Sequence, residues 1–286
     1  MLHFFKRRVK SAIRWIKDFR KFRRDGGVMY CPLTFCEPSK RFVGKNVMII
    51  GGSSGMGLQI AKDFLAEGAG VMIAARNQQR LKEVVSAMGD PSTLHSITMD
   101  IADVNTIQFA INKSSEVLGQ IDVFVNCAGV LRGSENPIEN YDYVMNINHK
   151  GIYHCCRFEG EYLVNNHIRG KIINISSVAG ERQLCEPYSL SKVGVNAITR
   201  GLAHQLAPHG ICVNAIAPGH VPSNIDEHHS QLDIEDNAFC GLHQNKRLIY
   251  PQEVSSLVLY LASDIASSIV GQIIGIDGGF KKYEFV

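Results

Sequence analysis

Residues 45–70 read KNVMIIGGSSGMGLQIAKDFLAEGAG. An unbroken apolar run ends in glycine, and the residues after the glycines take helical spacing until a Gly-rich stop. This is a buried strand, a tight turn and a helix. Within the turn, Gly51 permits the sharp reversal, Gly55 lets backbone approach a diphosphate, and Gly57 lets the helix lie close to the strand. The helix N-terminus then favours an anion. A glycine pattern of this kind is weak by itself; its place after the first strand strengthens it.

The same alternation continues outward. VMIAAR (71–76) is a second apolar run, QQRLKEVVSAM (78–88) a polar helix, LHSITMD (94–100) a strand, VNTIQFAINKSSEVLG (104–119) a helix and IDVFVNCAG (121–129) a strand. A long helix is expected around 138–166, then the strand GKIINISS, a helix at 188–207 and the strand ICVNAIAPG. An irregular stretch at 219–246, a helix near 251–263 and a last strand at GQIIGID complete the chain. Buried strands alternating with helices give the α/β class: a Rossmann-type, doubly wound, seven-stranded parallel sheet with helices on both faces.

Charge divides the chain unevenly. Residues 1–25 hold ten Lys and Arg against Asp18 and Asp25, a local charge of +8 within a total of +3, so the remainder carries −5. The basic character belongs to an arm, and a nucleic-acid partner is not expected. In that arm Leu2, Phe5, Val9, Ile13, Ile16 and Phe19 fall three or four apart, which draws an apolar stripe on a basic helix. Two roles remain open for it: peripheral contact with an anionic membrane surface, or docking on its own domain or a neighbouring subunit. The expected organisation is a helical arm at 1–25, a connector at 26–44 and one domain over 45–286.

No apolar run is long enough to span a bilayer, and charges interrupt the place where a signal peptide needs its apolar core. A cytoplasmic location is expected, with peripheral membrane contact through the arm as its variant. The eight cysteines lack C-x-x-C or zinc spacing, so reduced thiols and no metal are expected. His228 and His229, beside Asp226 and Glu227, read as part of a solvated lid.

Two features carry chemistry. Ala75 and Arg76 stand after the second strand, where a carboxylate would bond a free ribose 2′-hydroxyl; an arginine there complements a 2′-phosphate, favouring NADP(H) over NAD(H). YSLSK (188–192) places Tyr188 and Lys192 one helical turn apart, with Pro187 suited to the first turn. Reducing a ketone by hydride leaves negative charge on oxygen, so a proton donor is required, and a lysine on the same face favours the phenolate for the reverse reaction. The pair alone would equally suit an exposed helix surface.

Eight motifs in order settle that choice: GGSSGMG (51–57), MDI (99–101), NCAG (126–129), NIN (146–148), NISSVAG (174–180), YSLSK (188–192), NAIAPG (214–219) and GQIIGIDGG (271–279). Over about residues 42–280 the chain resembles the short-chain dehydrogenases/reductases, and within them the 3-oxoacyl-carrier-protein reductase-like branch. The resemblance implies a hydride-transferring oxidoreductase acting on a small-molecule or acyl-carrier-bound carbonyl. It assigns Asn148, Ser177, Tyr188 and Lys192 to catalysis, with Ser176 as the alternative hydroxyl. It assigns the cofactor to Gly51, Ser53, Ser54, Gly55, Met56, Gly57, Arg76, Asp100, Ile101, Asn126, Ala128, Gly129, Tyr188, Lys192, Pro218, Gly219 and Val221. It further implies a homodimer or homotetramer built on the helices holding residues 148–166 and 188–207. The contrasting reading is a catalytically silent dinucleotide-binding sensor or scaffold, against which the intact quartet argues. The short approach ERQLCEP (181–187) to Tyr188 departs from the family pattern and weakens substrate analogies.

Overall fold

A computed structural model describes residues 13, 16–23, 38–182, 184–222 and 239–280. Seven strands form one sheet: β1 (Asn46–Ile50), β2 (Gly70–Ala75), β3 (Leu94–Thr98), β4 (Val123–Asn126), β5 (Lys171–Ile175), β6 (Cys212–Pro218) and β7 (Ile273–Ile276). Their spatial order is β3-β2-β1-β4-β5-β6-β7, and every neighbouring pair is parallel. The helices are α1 (Gly55–Ala66), α2 (Gln78–Ala87), α3 (Val104–Leu118), α4 (Pro137–Met145), α5 (Ile152–Asn165), α6 (Pro187–Leu206) and α7 (Pro251–Ala262).

The two-residue period of a strand sorts its side chains to opposite faces. Val47 and Ile49 of β1 join Val71 and Ile73 of β2 under α1, α2 and α7. Met48, Ile50, Met72 and Ala74 point the other way, against α3, α5 and α6. Both layers are filled by apolar residues, which accounts for continuous apolar runs rather than alternation in the strand sequences. No described helix is long and apolar enough to cross a membrane.

Two boundaries differ from the sequence expectations. The connector does not end at residue 44: Phe42 is buried edge-on against Phe64 with ring centroids 4.9 Å apart. Arg41 pairs with the Glu67 carboxylate just beyond α1. The domain therefore begins near Ser39, whose amide also bonds Glu67 at 3.2 Å. The long helix expected around 138–166 is interrupted by a π-helical segment, Asn146–Gly151, between α4 and α5. The wider turn shifts the face that α5 presents, and Gly151 closes against Ile101, where a Cβ would meet the carbonyl oxygen at 2.7 Å.

A polar cluster lies between the sheet and α5. Glu159 is fully buried, and its Oε2 accepts from Asn126 Nδ2 at 2.9 Å. Asn126 Nδ2 also donates to Asn174 Oδ1, and Asn174 Nδ2 donates to Thr199 of α6, each at 2.9 Å. Burial pushes the Glu159 carboxyl from 4.5 up to about 8, so the folded protein holds it protonated at neutral pH.

The unfolded chain ionises this group near 4.5, so its contribution to stability is complete below that value and is lost as pH rises towards about 8. Glu159→Gln keeps the shape without the titration. We expect it to raise stability by about 2–4 kcal/mol near pH 8.5, with the gain shrinking towards about pH 5. Thermal unfolding at the two pH values measures this, and an equal shift at both would reject titration of Glu159 as the cause.

Candidate active site

The sheet order reverses beside β1: β2 and β3 extend to one side, β4 to β7 to the other. Loops leaving the carboxyl ends of β1 and β4 therefore diverge and open a cleft. Its lining includes Gly51, Ser53, Ser54, Gly55, Met56 and Gly57 from the first turn, Arg76 after β2, Asp100 and Ile101 after β3, and Ala128 and Gly129 after β4. Asn77, Met99, Cys127, Val130 and Ile147 also line it; Met99, Cys127 and Ile147 lie within the quoted motifs, but none of the five was assigned to the site from sequence.

Side-chain-free backbone makes this cleft possible. Gly51 has φ +85°, and a Cβ on it would lie 2.7 Å from the Ala128 amide nitrogen. A Cβ on Gly57 would run into the Gly51 carbonyl oxygen. Strand, turn and helix are thus in backbone contact, and α1 begins with no acidic side chain in its first turn. Such a cradle fits a dinucleotide diphosphate, which would accept from the amides at the helix start.

The proposed chemical residues gather beside the cleft. Tyr188 lies in the first turn of α6 with its ring half-buried, on the side of the site where Ser177 stands. Burial pushes the Tyr188 phenol above its usual 10, the Ser177 hydroxyl opposes that shift, and the Glu186 carboxylate adds to it. Lys192, one turn along, has its Nζ 5.7 Å from the Tyr188 ring centroid and donates to the Ile175 carbonyl at 2.9 Å. Burial lowers its ammonium to about 8, partly countered by Cys127. The Cys127 thiol is itself pushed up to about 12 by burial, which leaves it protonated and poorly nucleophilic.

The two adjacent serines separate clearly. Ser176 is buried, and its hydroxyl is committed to Asn196 Oδ1 at 2.6 Å and the Lys192 carbonyl at 3.4 Å. Ser177 Oγ accepts from the Ala179 amide at 3.1 Å and is the one on the Tyr188 side. Asn148 sits on the π-helical segment. Its Oδ1 accepts from the Val130 amide at 2.8 Å, and its Nδ2 donates to the Val130 carbonyl at 2.7 Å and to Ser191 Oγ at 3.3 Å. This pair of hydrogen bonds to the backbone of one residue fixes the loop after β4 against the cleft.

Four other expected cofactor residues stand outside the cleft lining. Asn126 does not border the cleft, because its amide is turned into the core towards Glu159 and Asn174. Val221 is buried in the apolar layer beneath α1 and α7. Pro218 ends β6 and Gly219 follows it, neither of them lining the cleft, and the Gly219 amide donates to the Ile276 carbonyl at 3.0 Å.

Beside Gly219 stands His243, another residue that motif reading missed. Its Nε2 accepts from the His220 amide at 2.9 Å and its Nδ1 meets the Arg247 carbonyl at 2.5 Å, which fixes a neutral ring protonated on Nδ1. Burial lowers its pKa in the same sense. His220, Cys240 and His243 bring ligand-type atoms within 4.8 Å of one another, but both His243 nitrogens are engaged with backbone. His228 and His229 lie outside the described residues.

A family model described as enoyl-(acyl carrier protein) reductase matches residues 51–281. The chain is 33% identical over 245 residues to the 3-oxoacyl-[acyl-carrier-protein] reductase FabG of Thermotoga maritima, covering 84% of this chain and 98% of that protein. Among solved structures, a short-chain type dehydrogenase/reductase from Mycobacterium marinum superposes with a TM-score of 0.76 at 27% identity, covering 84% of this chain and 96% of the other. BdcA, solved in complex with NADPH, superposes with a TM-score of 0.72 at 29% identity, covering 86% and 98% respectively.

Because Gly51 combines a positive φ with a backbone contact, Gly51→Ala is expected to destabilise the fold by about 1–3 kcal/mol. Urea unfolding measures the change. A midpoint shift near zero would show that the turn relaxes without cost.

Proposed function

Since the chain belongs to the short-chain dehydrogenase/reductase family of oxidoreductases, we propose that it transfers a hydride between NADP(H) and a carbonyl or secondary-alcohol carbon, with Tyr188 as general acid and base. The observation that carries this reading is Lys192 Nζ standing 5.7 Å from the Tyr188 ring centroid and next to Gly129 of the glycine-walled cleft. When bound, the reduced nicotinamide supplies the hydride.

As charge grows on the substrate oxygen, the Tyr188 hydroxyl gives up its proton to that oxygen while the Ser177 hydroxyl donates a hydrogen bond to it. A phenol held above its usual range is fully protonated at neutral pH, the form that reduction requires. The phenolate then formed lies beside Lys192, whose ammonium stabilises it and favours the reverse step. Asn148 acts through backbone, keeping Val130 and the cleft wall in place.

The phosphate-bearing cofactor is supported by Arg76, an exposed guanidinium at the cleft edge after β2. BdcA, among the similar structures, was solved with NADPH. The substrate we favour is a small-molecule or acyl-carrier-bound ketone, as the name of the Thermotoga maritima relative suggests. We also propose a homodimer or homotetramer paired through α5 and α6, which leave Tyr153, Leu190 and Val193 exposed.

Tyr188→Phe is expected to lower kcat by at least about a hundredfold while NADPH affinity changes little. Carbonyl-dependent NADPH oxidation and calorimetric titration measure the two effects, and retained turnover would remove Tyr188 from the mechanism. Arg76→Ala should cost NADPH about tenfold or more in affinity and leave NADH nearly unchanged. An unaltered ratio of the two dissociation constants would overturn the cofactor assignment.

A further inference from the structure

The basic arm has two different faces. Asp18 and Phe22 lie one helical turn apart and share the inner one. Asp18 Oδ2 pairs with Lys246 Nζ at 2.8 Å, and the Phe22 ring stacks on Phe239 with centroids 4.3 Å apart. Both partners belong to one hairpin, in which Phe239 bridges Arg247 and the Cys240 amide donates to the Lys246 carbonyl at 2.8 Å. That hairpin carries His243, which bonds the amide of His220 next to Gly219. The arm is therefore seated where β6 terminates, at the carboxyl edge of the sheet on which the cleft also opens.

On the opposite side of the same helix, Ile13 is 48% exposed and Ile16 is 43% exposed. Arg20 and Arg23 fall on that side by helical geometry, with Lys17 and Lys21 at its margin, and all four are exposed. Aliphatic side chains interleaved with long basic ones suit a bilayer interface: the isoleucines enter the acyl boundary while the cations remain at the level of the headgroups. A second copy of this chain would have to bring matching acidic groups to four cations, whereas an anionic headgroup layer supplies them at any register.

We infer that the outer face of the arm binds an anionic lipid surface while its inner face holds the 239–247 hairpin. The carboxyl edge of the sheet, on which the cleft opens, is thereby turned towards the bilayer. If the carbonyl-reductase reading above holds, the substrate class that fits is an amphiphilic ketone or alcohol that partitions into lipid. Vesicle binding does not depend on that reading.

Sedimentation of the full chain with phosphatidylserine-containing vesicles and with pure phosphatidylcholine vesicles tests the surface. We expect binding to the anionic vesicles to exceed binding to the neutral ones by at least about tenfold and to fall in high salt. Ile13→Glu/Ile16→Glu and, separately, Arg20→Glu/Arg23→Glu should each lower it by about tenfold or more, with thermal unfolding of the domain unchanged. Absence of anionic-vesicle binding, or binding unaffected by either double variant, would overturn the inference. So would a concentration-dependent oligomer abolished by Ile13→Glu/Ile16→Glu, which would assign the face to a second copy. Failure of vesicle binding with Tyr188-dependent turnover intact would leave the catalytic reading standing.

Discussion

The close approach of backbone to backbone at the end of β1 governs the site. Gly51 touches the Ala128 peptide across the point where the sheet order reverses, and Gly57 brings α1 onto the Gly51 carbonyl. A single Cβ at either position would force β4, the turn or α1 outward, and the cleft is formed by those three segments. Strand order makes an opening at this edge unavoidable, but its width is fixed by atoms that are missing from two residues. The amides left without intrahelical partners at the start of α1 consequently face the cleft rather than a side chain.

Burial does opposing work on the two ionisable groups next to that cleft. Desolvation raises the Tyr188 phenol and lowers the Lys192 ammonium, so each is biased towards its neutral form. With Lys192 near 8, its charge responds to small local changes, such as a phenolate forming one turn away. The Ile175 carbonyl anchors Lys192 to the end of β5, the strand that leads directly into Ser177. One strand end therefore positions Lys192 through a peptide carbonyl and Ser177 through main-chain continuation, while α6 carries Tyr188 one turn before Lys192.

Much of this was legible in the sequence because it depends on short-range rules. All seven expected runs became strands; the inner ones are buried on both faces and leave an unmistakable composition, whereas the edge strands β3 and β7 are only partly covered. Tyr188 and Lys192 share a face because the helical period demands it. What was hidden depends on contacts between distant segments. The π-helical break at Asn146–Gly151 has no local signature, because it is held by Asn148 reaching the Val130 peptide and by Gly151 meeting Ile101. Asn126 belongs to a cofactor motif yet turns inward, drawn by Glu159, and a lone acidic residue in a helix reads as solvent-facing until its neighbours are known. The arm offered the membrane and its own domain as alternatives; Asp18 and Phe22 use one face for the domain and leave the other to solvent.

His243 connects that arm to the chemistry by direct contact. A Cβ on Gly219 would lie 2.5 Å from His243 Nε2, so the imidazole is packed against the backbone that follows β6. Its acceptor nitrogen takes the next amide, and its donor nitrogen holds the hairpin closed at Arg247. Arg247 in turn forks onto Glu253 at 2.7 and 2.8 Å, tying the hairpin to the first turn of α7. The inner face of the arm, the hairpin, the imidazole and the Gly219 peptide thus form an unbroken series of contacts. Lifting the hairpin would require His243 to release the His220 amide, and leaving that amide unpaired would cost about 1–3 kcal/mol. A neutral imidazole accepts from one segment and donates to the other at the same time, and burial, which lowers its pKa, favours that state.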